Sequence, residues 1–398
     1  MKKVFLTALS GLPAAFAGGP NKVIYYILNY SNLENLEFYY LSKDYFLQLK
    51  NTNGDYFKTP KFLKTRITYH LYHRFPLYRK FFSSPFYLKK FFTKSMNFIG
   101  KRLNDGEWDI LHSHDIRTLI KLKKKKGIII QTIHSNGSIV NDMKQIYGNG
   151  RSMEAIYNFF RSKEKETLDY IDVLTFPSKS AKEIYFRDLE INSFSGRVEI
   201  IYNGIDIDYI KSLGFTEEFE KNWNWLSKYD YRILTIGSHI PVKNIDKIIR
   251  VFEKIRMKNK NSVLIIIGSG PLKNELKKLA KELNLGTTVH FIDFLDHNDV
   301  LRLMKKCNVY ISLSERVIFD YVILEALACG MNVFASNNGG NIEVINGQNG
   351  CLVEIDNINE VSKTILDSDL KYSEEAIKSV ERFSVYKMVE DYLKLYEQ

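Results

Sequence analysis

Continuous β-branched runs, each followed by a stretch with helical spacing, constrain this chain more than any other feature. Gly127-Ile-Ile-Ile-Gln-Thr-Ile133 and Val263-Leu-Ile-Ile-Ile267 read as strands covered on both faces, the pattern of a parallel sheet. Parallel strands need long crossovers, usually helices, and the chain supplies them. In the first half, strands at Lys3–Leu9, Glu37–Leu41, Trp108–His114, Gly127–Ile133 and Asp172–Ser178 alternate with helices at Asn21–Asn29, Ile116–Lys126 and Met153–Leu168, and Ser178 starts a further helix as its N-cap. In the second half, strands at Tyr231–Gly237, Val263–Ile267, Thr288–Ile292, Asn308–Leu313 and Cys351–Ile355 alternate with helices that begin near Asn244 and span Leu272–Leu283 and Asp320–Cys329, where Gly330 supplies a stop; Val385–Tyr396 is the last helix. The fold class is α/β with doubly wound sheets. At 398 residues and 45% apolar, the chain exceeds what one core serves, so two domains of roughly 150 to 200 residues are expected.

One stretch directs the reading towards function: Ser314-Glu-Arg-Val-Ile-Phe-Asp-Tyr-Val-Ile-Leu-Glu-Ala-Leu-Ala-Cys-Gly330, followed by Asn332-Val-Phe-Ala-Ser-Asn-Asn-Gly-Gly340. It reads strand, loop, helix, strand. In an open parallel sheet, a loop at a strand's carboxyl end, with the next helix's free N–H groups aimed at it, holds a phosphate-bearing ligand. Glu325 lies about one turn inside that helix, within reach of the hydroxyls of a ribose. Gly339 and Gly340 allow backbone to approach a diphosphate. The stretch resembles the nucleotide-sugar signature of the retaining GT-B glycosyltransferases of family 4, Glu-x-Phe-Gly-x-x-x-Leu-Glu-Ala-x-Ala-x-Gly. Phe319, Leu324, Glu325, Ala326, Ala328 and Gly330 match it. Val317 stands at the first glutamate, Asp320 at the glycine, and the nearest upstream glutamate is Glu315.

The resemblance extends over almost the whole chain. Thr132-Ile-His134 resembles the family's Thr-x-His at a strand end, Gly18-Gly19 its glycine pair after the first strand, and Lys243 the lysine of its diphosphate loop, where Ser238 replaces the usual arginine. Ile292 to Leu295, with Asp293 in place of a glycine, corresponds to the site of the base. The resemblance implies two Rossmann-like domains facing each other across a cleft: residues 1–205 for the acceptor, a connector at 206–230, residues 231–378 for the nucleotide-sugar, and a helix at 379–398 crossing back. It implies transfer, with retention, of a hexose or N-acetylhexosamine from a nucleoside diphosphate sugar, foremost a UDP-sugar, to a lipid-linked glycan in cell-surface polysaccharide synthesis. His134, Asp320 and Glu325 are the catalytic candidates; Gly18, Gly19, Ser238, Lys243, Phe319, Asp320, Tyr321 and Glu325 are the donor-binding ones. No cofactor and no metal are implied, and Asp206-Ile-Asp208 falls in the turn between domains. Retention needs no dedicated nucleophile: the departing phosphate, held by cations and helix N–H groups, takes the incoming hydroxyl's proton. One cation near a diphosphate contributes roughly 1.5 to 3 kcal/mol, so the missing arginine weakens donor binding unless His239 or Arg316 compensates. Asp320 or Glu315 must replace the first glutamate. His112 and His114, on the neighbouring strand end, are placed to touch the acceptor. The alternatives are a catalytically inactive GT-B subunit that binds a partner enzyme or acceptor, and a nucleotide-sugar epimerase.

Charge bears on where such a chain works. Tyr56 to Asn104 holds 12 Lys or Arg, no Asp or Glu, and fourteen Phe or Tyr, which leaves the rest of the +11 chain close to neutral. Leu71, Phe75, Tyr78 and Phe82 form a helical stripe beside Arg74, Arg79 and Lys80, the chemistry of a helix lying on an anionic bilayer. Pro76 and Pro85 divide any such helix. Nucleic-acid binding has no motif behind it. No stretch has the ~18–20 uninterrupted apolar residues of a spanning helix, so a cytoplasmic chain, peripheral on the inner membrane face, is expected. Met1 to Ala17 has the outline of a secretory signal, but Lys3–Leu9 also reads as the first buried strand. Cys307, Cys329 and Cys351 read as packed thiols.

Overall fold

The computed structural model describes residues 1–9, 13, 19–31, 35–43, 46–49, 84–368 and 374–398. The chain forms two compact units, one of Met1–Tyr202 with Val389–Gln398, the other of Asn203–Met388. The last helix, Val385–Glu397, begins in the second and ends in the first.

The first unit is built on a seven-stranded sheet of β1 (Lys2–Thr7), β2 (Leu36–Leu41), β3 (Phe46–Leu49), β4 (Ile110–Ser113), β5 (Ile128–Thr132), β6 (Val173–Phe176) and β7 (Arg197–Ile200), in the order β3-β2-β1-β4-β5-β6-β7. All neighbours are parallel except β2 and β3, and β3 was not expected from the sequence. Successive side chains of a strand point to opposite faces. Every residue of β4 and β6 is buried, so both faces are covered. β1 pairs on both sides, as a central strand does. The second unit holds six parallel strands, β8 (Tyr231–Ile236), β9 (Ser262–Ile267), β10 (Val289–Ile292), β11 (Val309–Ser312), β12 (Asn332–Ser336) and β13 (Gly350–Val353), in the order β10-β9-β8-β11-β12-β13. Its core joins β8, β9 and β11 to Ile248, Ile249 and Phe252 of helix Ile245–Lys258 and to Val361 and Ile365 of helix Ile358–Asp367.

Three expectations change. Ile116–Lys126 is not a helix: a single 3₁₀ turn, Ile116–Thr118, is followed by coil, because four consecutive lysines, Lys123 to Lys126, supply no apolar stripe to bury. Residues 206–230 are more regular than a linker, with helices Ile207–Ser212 and Glu217–Trp223 and a 3₁₀ helix Asn224–Lys228. Within the basic aromatic segment, residues 56–83 lie outside the described residues, including the stripe from Leu71 to Phe82. Its end is helix Pro85–Asp105, with Pro85 in the first turn, where its missing N–H is harmless, and Ser84 capping Tyr87 N–H at 3.3 Å. Its apolar stripe of Leu88, Phe92, Met96, Ile99 and Leu103 is core rather than membrane surface; Phe92 packs edge-on against Phe160 with ring centres 5.0 Å apart. The opposite face leaves Phe86 and Phe98 exposed among Lys90, Lys94 and Lys101. Among the described residues no helix is long and apolar enough to cross a membrane.

Candidate active site

In the second sheet β8 and β11 are neighbours although β9 and β10 lie between them in the chain. Ligands of open α/β sheets bind outside the strands' carboxyl ends at such a switch of order. The loops leaving these strands are bonded to each other. Glu315 N–H donates to the Val242 carbonyl at 2.9 Å, and Asn244 Nδ2 donates to the Leu313 carbonyl at 2.9 Å and to Glu315 Oε1 at 3.1 Å. Lys243 shares the first loop; its aliphatic stem lies over Gly237, 3.6 Å from where a Cβ would stand. Ser238, in the arginine's place, is exposed. His239 is fully buried, and burial, together with Lys273 and Lys277, pushes its pKa down. It therefore supplies no cation at neutral pH. Arg316, exposed on the second loop, remains for that role.

The second loop ends at helix Tyr321–Ala328. Asp320 is its N-cap and accepts from Val322 N–H at 3.0 Å, so part of its carboxylate serves the helix. Tyr321 is the first helical residue and half-buried. Phe319 is turned inward: it is 7% exposed and packs on Phe383, ring centres 5.5 Å apart, which leaves its backbone rather than its ring for a donor. Val317, at the first glutamate's position, is core. Gly339 and Gly340 are required by the protein's own packing: Cβ atoms there would lie 1.9 Å from the Val317 carbonyl oxygen and 2.4 Å from that of Ile318. The two glycines let the loop after β12 press against the loop after β11, and Ser336 Oγ and Asn338 Nδ2 both donate to the Ser314 carbonyl, at 2.6 and 3.0 Å.

Glu325 is only 4% exposed, and its Oε1 bonds to His297 Nε2 at 3.0 Å. His297 opens helix His297–Lys306, which follows the carboxyl end of β10, so the pair lies at the same edge as Lys243. No pattern in the sequence pointed to His297. Asp293, at the expected base position, is tied to Lys273 Nζ at 2.6 Å, and its neighbour Phe294 is 83% exposed.

The first unit carries its own switch, between β1 and β4. Gly19 caps helix Pro20–Tyr30 at φ +54° and ψ −128°, a conformation open to glycine alone; Gly18 lies outside the described residues. His134, half-buried after β5, meets His114 across 3.0 Å from Nε2 to Nδ1. His114 stands beside His112, ring centres 4.1 Å apart. His112 Nδ1 is 2.5 Å from Tyr396 Oη and its Nε2 is 2.7 Å from Thr132 Oγ1, which also meets Thr175 Oγ1 at 2.6 Å and Tyr392 Oη at 3.3 Å. His112 and His114 are 0% and 2% exposed, so neither reaches an acceptor as expected from their strand end. Burial pushes His112 down to about 3 and His134 to about 4, and holds His114 well below the usual imidazole range. All three are neutral at pH 7. The histidines were legible singly; their meeting, and the two tyrosines four residues apart that close it, were not.

Sequence models of two families match the chain, Glycosyltransferase Family 4 over residues 53–209 and Glycosyl transferases group 1 over residues 216–387. Both are glycosyltransferase families, one matched by each half of the chain. The chain is 29% identical over 264 residues to an uncharacterized glycosyltransferase of Methanocaldococcus jannaschii, covering 61% of each chain. It is 31% identical over 206 residues to the N-acetylgalactosamine-N,N'-diacetylbacillosaminyl-diphospho-undecaprenol 4-alpha-N-acetylgalactosaminyltransferase of Campylobacter jejuni, covering 50% of this chain and 53% of that one. It thus spans about half to three-fifths of the length of these two relatives. Among solved structures, that of Anabaena HepE in complex with UDP superposes with a TM-score of 0.64 at 16% identity over the full length of both chains, a likeness of fold.

Proposed function

We propose that this glycosyltransferase moves a hexose or N-acetylhexosamine, with retention, from a UDP-sugar to a glycan acceptor carried on a lipid diphosphate. The observation that carries the reading is the bonded pair of loops after β8 and β11, which sets the Lys243 ammonium and the N-terminus of helix Tyr321–Ala328 on one sheet edge. A diphosphate there meets one flexible cation and a helix end of favourable polarity. The Glu325–His297 pair receives the ribose, Phe294 offers a face to the base, and Asp320 or Glu315 contacts the sugar. Within the first unit, His134 and Gly19 are the candidate substrate contacts. The departing diphosphate oxygen takes the acceptor hydroxyl's proton as the new glycosidic bond forms, so no carboxylate nucleophile and no metal enter the balance.

The acceptor class rests on the Campylobacter relative, named for a sugar on diphospho-undecaprenol, and the donor class on the Anabaena structure, which holds UDP. Exposed Phe86 and Phe98 beside Lys90, Lys94 and Lys101 on helix Pro85–Asp105 suit a peripheral site on an anionic cytoplasmic leaflet, where cell-surface glycans are begun. Slow hydrolysis of one member of a panel of UDP-, GDP- and ADP-sugars, with its donor KM raised strongly in Glu325→Ala, is the expected result. Hydrolysis of none, with no UDP binding, would sink the reading. A second reading, a GT-B subunit without turnover, is favoured by the buried Val317 and exposed Ser238 at two signature positions. Donor binding without hydrolysis, in the presence of lipid-linked acceptor, would select it.

A further inference from the structure

We propose that His114 is a positioning residue that holds His134 in the tautomer protonated on Nδ1, so that His134 presents an N–H rather than a lone pair at the carboxyl edge of the first sheet. The proposal deepens the transferase reading and rests on it only for its catalytic consequence.

Neutral imidazole carries one N–H and one lone pair, and all three rings are neutral at pH 7 because burial disfavours their charged forms. His114 Nδ1 and His134 Nε2 face each other at 3.0 Å, so one of them carries a proton and the other does not. Among the described residues, His114 Nε2 is buried without a partner. If His134 Nε2 donated, the His114 proton would sit on that nitrogen as a buried N–H with nothing to bond. If His114 Nδ1 donates, the same nitrogen is left as an unpaired acceptor. Buried orphan donors are rarer than under-satisfied acceptors, and leaving a donor unmade costs its full desolvation. The proton therefore lies on His114 Nδ1, His134 Nε2 accepts it, and the His134 proton falls on Nδ1. The nitrogen bonded inside the protein sets the state of the one facing outward.

The rest of the cluster fixes the His114 ring. Its backbone N–H donates to the Thr7 carbonyl at 2.8 Å, its ring packs on that of His112, and His112 is pinned at both nitrogens by the hydroxyls of Tyr396 and Thr132. Hydroxyls donate or accept as required, so His112 accepts either proton arrangement while holding the geometry. An N–H on His134 stabilises an electron-rich oxygen of the sugar or of the departing group. It cannot serve as a base through that nitrogen.

The test is a long-range proton–nitrogen correlation spectrum of the histidine rings in the full-length protein at pH 7.5, with His134 assigned by its loss in His134→Ala. The chain has eight histidines, few enough to resolve. A protonated Nδ1 and an unprotonated Nε2 on His134 are expected in the wild type. His114→Phe should move the proton to Nε2, and His114→Asn, whose amide can donate from the place of Nδ1, should restore it. In the transfer assay His114→Phe should lower kcat roughly tenfold with donor KM within about twofold, and His114→Asn should recover most of that loss. A wild-type His134 protonated on Nε2 overturns the proposal, and so does a His134 tautomer unchanged in His114→Phe; the wild-type spectrum decides even where a variant does not fold. Absence of turnover with any donor counts against the transferase reading instead and leaves the ring spectra to judge the proton's position.

Discussion

At the scale of single residues, two buried carboxylates set different tests. Glu325 is bonded to His297 at 3.0 Å, so the two should act together on the nucleotide. Glu325→Gln and His297→Ala should each raise donor KM, by about tenfold or more, with a smaller change in kcat, read by initial rates or by calorimetric titration with UDP. An unchanged KM in both would remove the ribose assignment. Glu164 belongs to the first unit, where its Oε2 accepts from Ser138 Oγ at 2.5 Å and from Ile139 N–H at 3.1 Å at the start of helix Ile139–Tyr147. Burial pushes its pKa up to about 7, against the pull of these bonds. A carboxyl whose folded pKa lies above its unfolded value contributes stability that is fully present below about 4.5 and is lost as pH rises through about 7. The wild type should therefore lose stability relative to Glu164→Gln between pH 5 and pH 8, by of order 2 to 3 kcal/mol. Parallel melting curves across that range would contradict the shift. The histidine cluster acts in the other direction: pKa values depressed to about 3 and about 4 give stability that is present above about 6.5 and drains away as pH falls towards 4.

At the scale of an element, helix Tyr321–Ala328 shows how a short piece is held and why its cap invites a functional test. Its stripe of Ile323, Leu324, Ala326 and Leu327 is buried, and its first turn is satisfied by Asp320. Loss of such a cap costs about 1 kcal/mol, whereas asparagine caps as well as aspartate. Asp320→Ala should thus lower the melting temperature by a few degrees and Asp320→Asn should not. If Asp320 also replaces the missing glutamate, Asp320→Asn should still cut kcat by about tenfold or more without affecting stability. Full activity in Asp320→Asn would assign Asp320 to the helix alone and leave Glu315 for the sugar.

At the scale of the whole molecule, the chain's last ten residues complete the unit that holds its first strand. Lys2 Nζ donates to the Tyr396 carbonyl at 3.2 Å, Tyr396 packs edge-on against Phe38, and Tyr392 and Tyr396 close the histidine cluster. A chain ending at Met388 should expose the carboxyl edge of the first sheet and become sensitive to proteolysis in residues 1–202, while residues 203–388 resist; uniform resistance would contradict this. The membrane reading is also a property of the whole surface. Lys90→Glu with Lys94→Glu should weaken sedimentation with anionic vesicles severalfold, since each basic residue near such a surface contributes about 1 kcal/mol, and leave binding to neutral vesicles unchanged. Equal binding of both forms to anionic vesicles would remove helix Pro85–Asp105 from that role.

The amino-acid sequence by itself determined the alternation of strands and helices, the covered runs of β5 and β9, the cap at Ser178 and the strand-loop-helix frame around Glu325, because each is written in residues close together in the chain. It mislaid the helix at Ile116–Lys126 and did not show the packing that requires Gly339 and Gly340. The tertiary structure alone decided that Val317 and Phe319 are core, that His297 partners Glu325, and that His112 meets Tyr396 across 284 positions. Hydrophobic period and turn chemistry are local properties. The partner of a buried polar atom is chosen by strand order and register, which no single window of sequence contains.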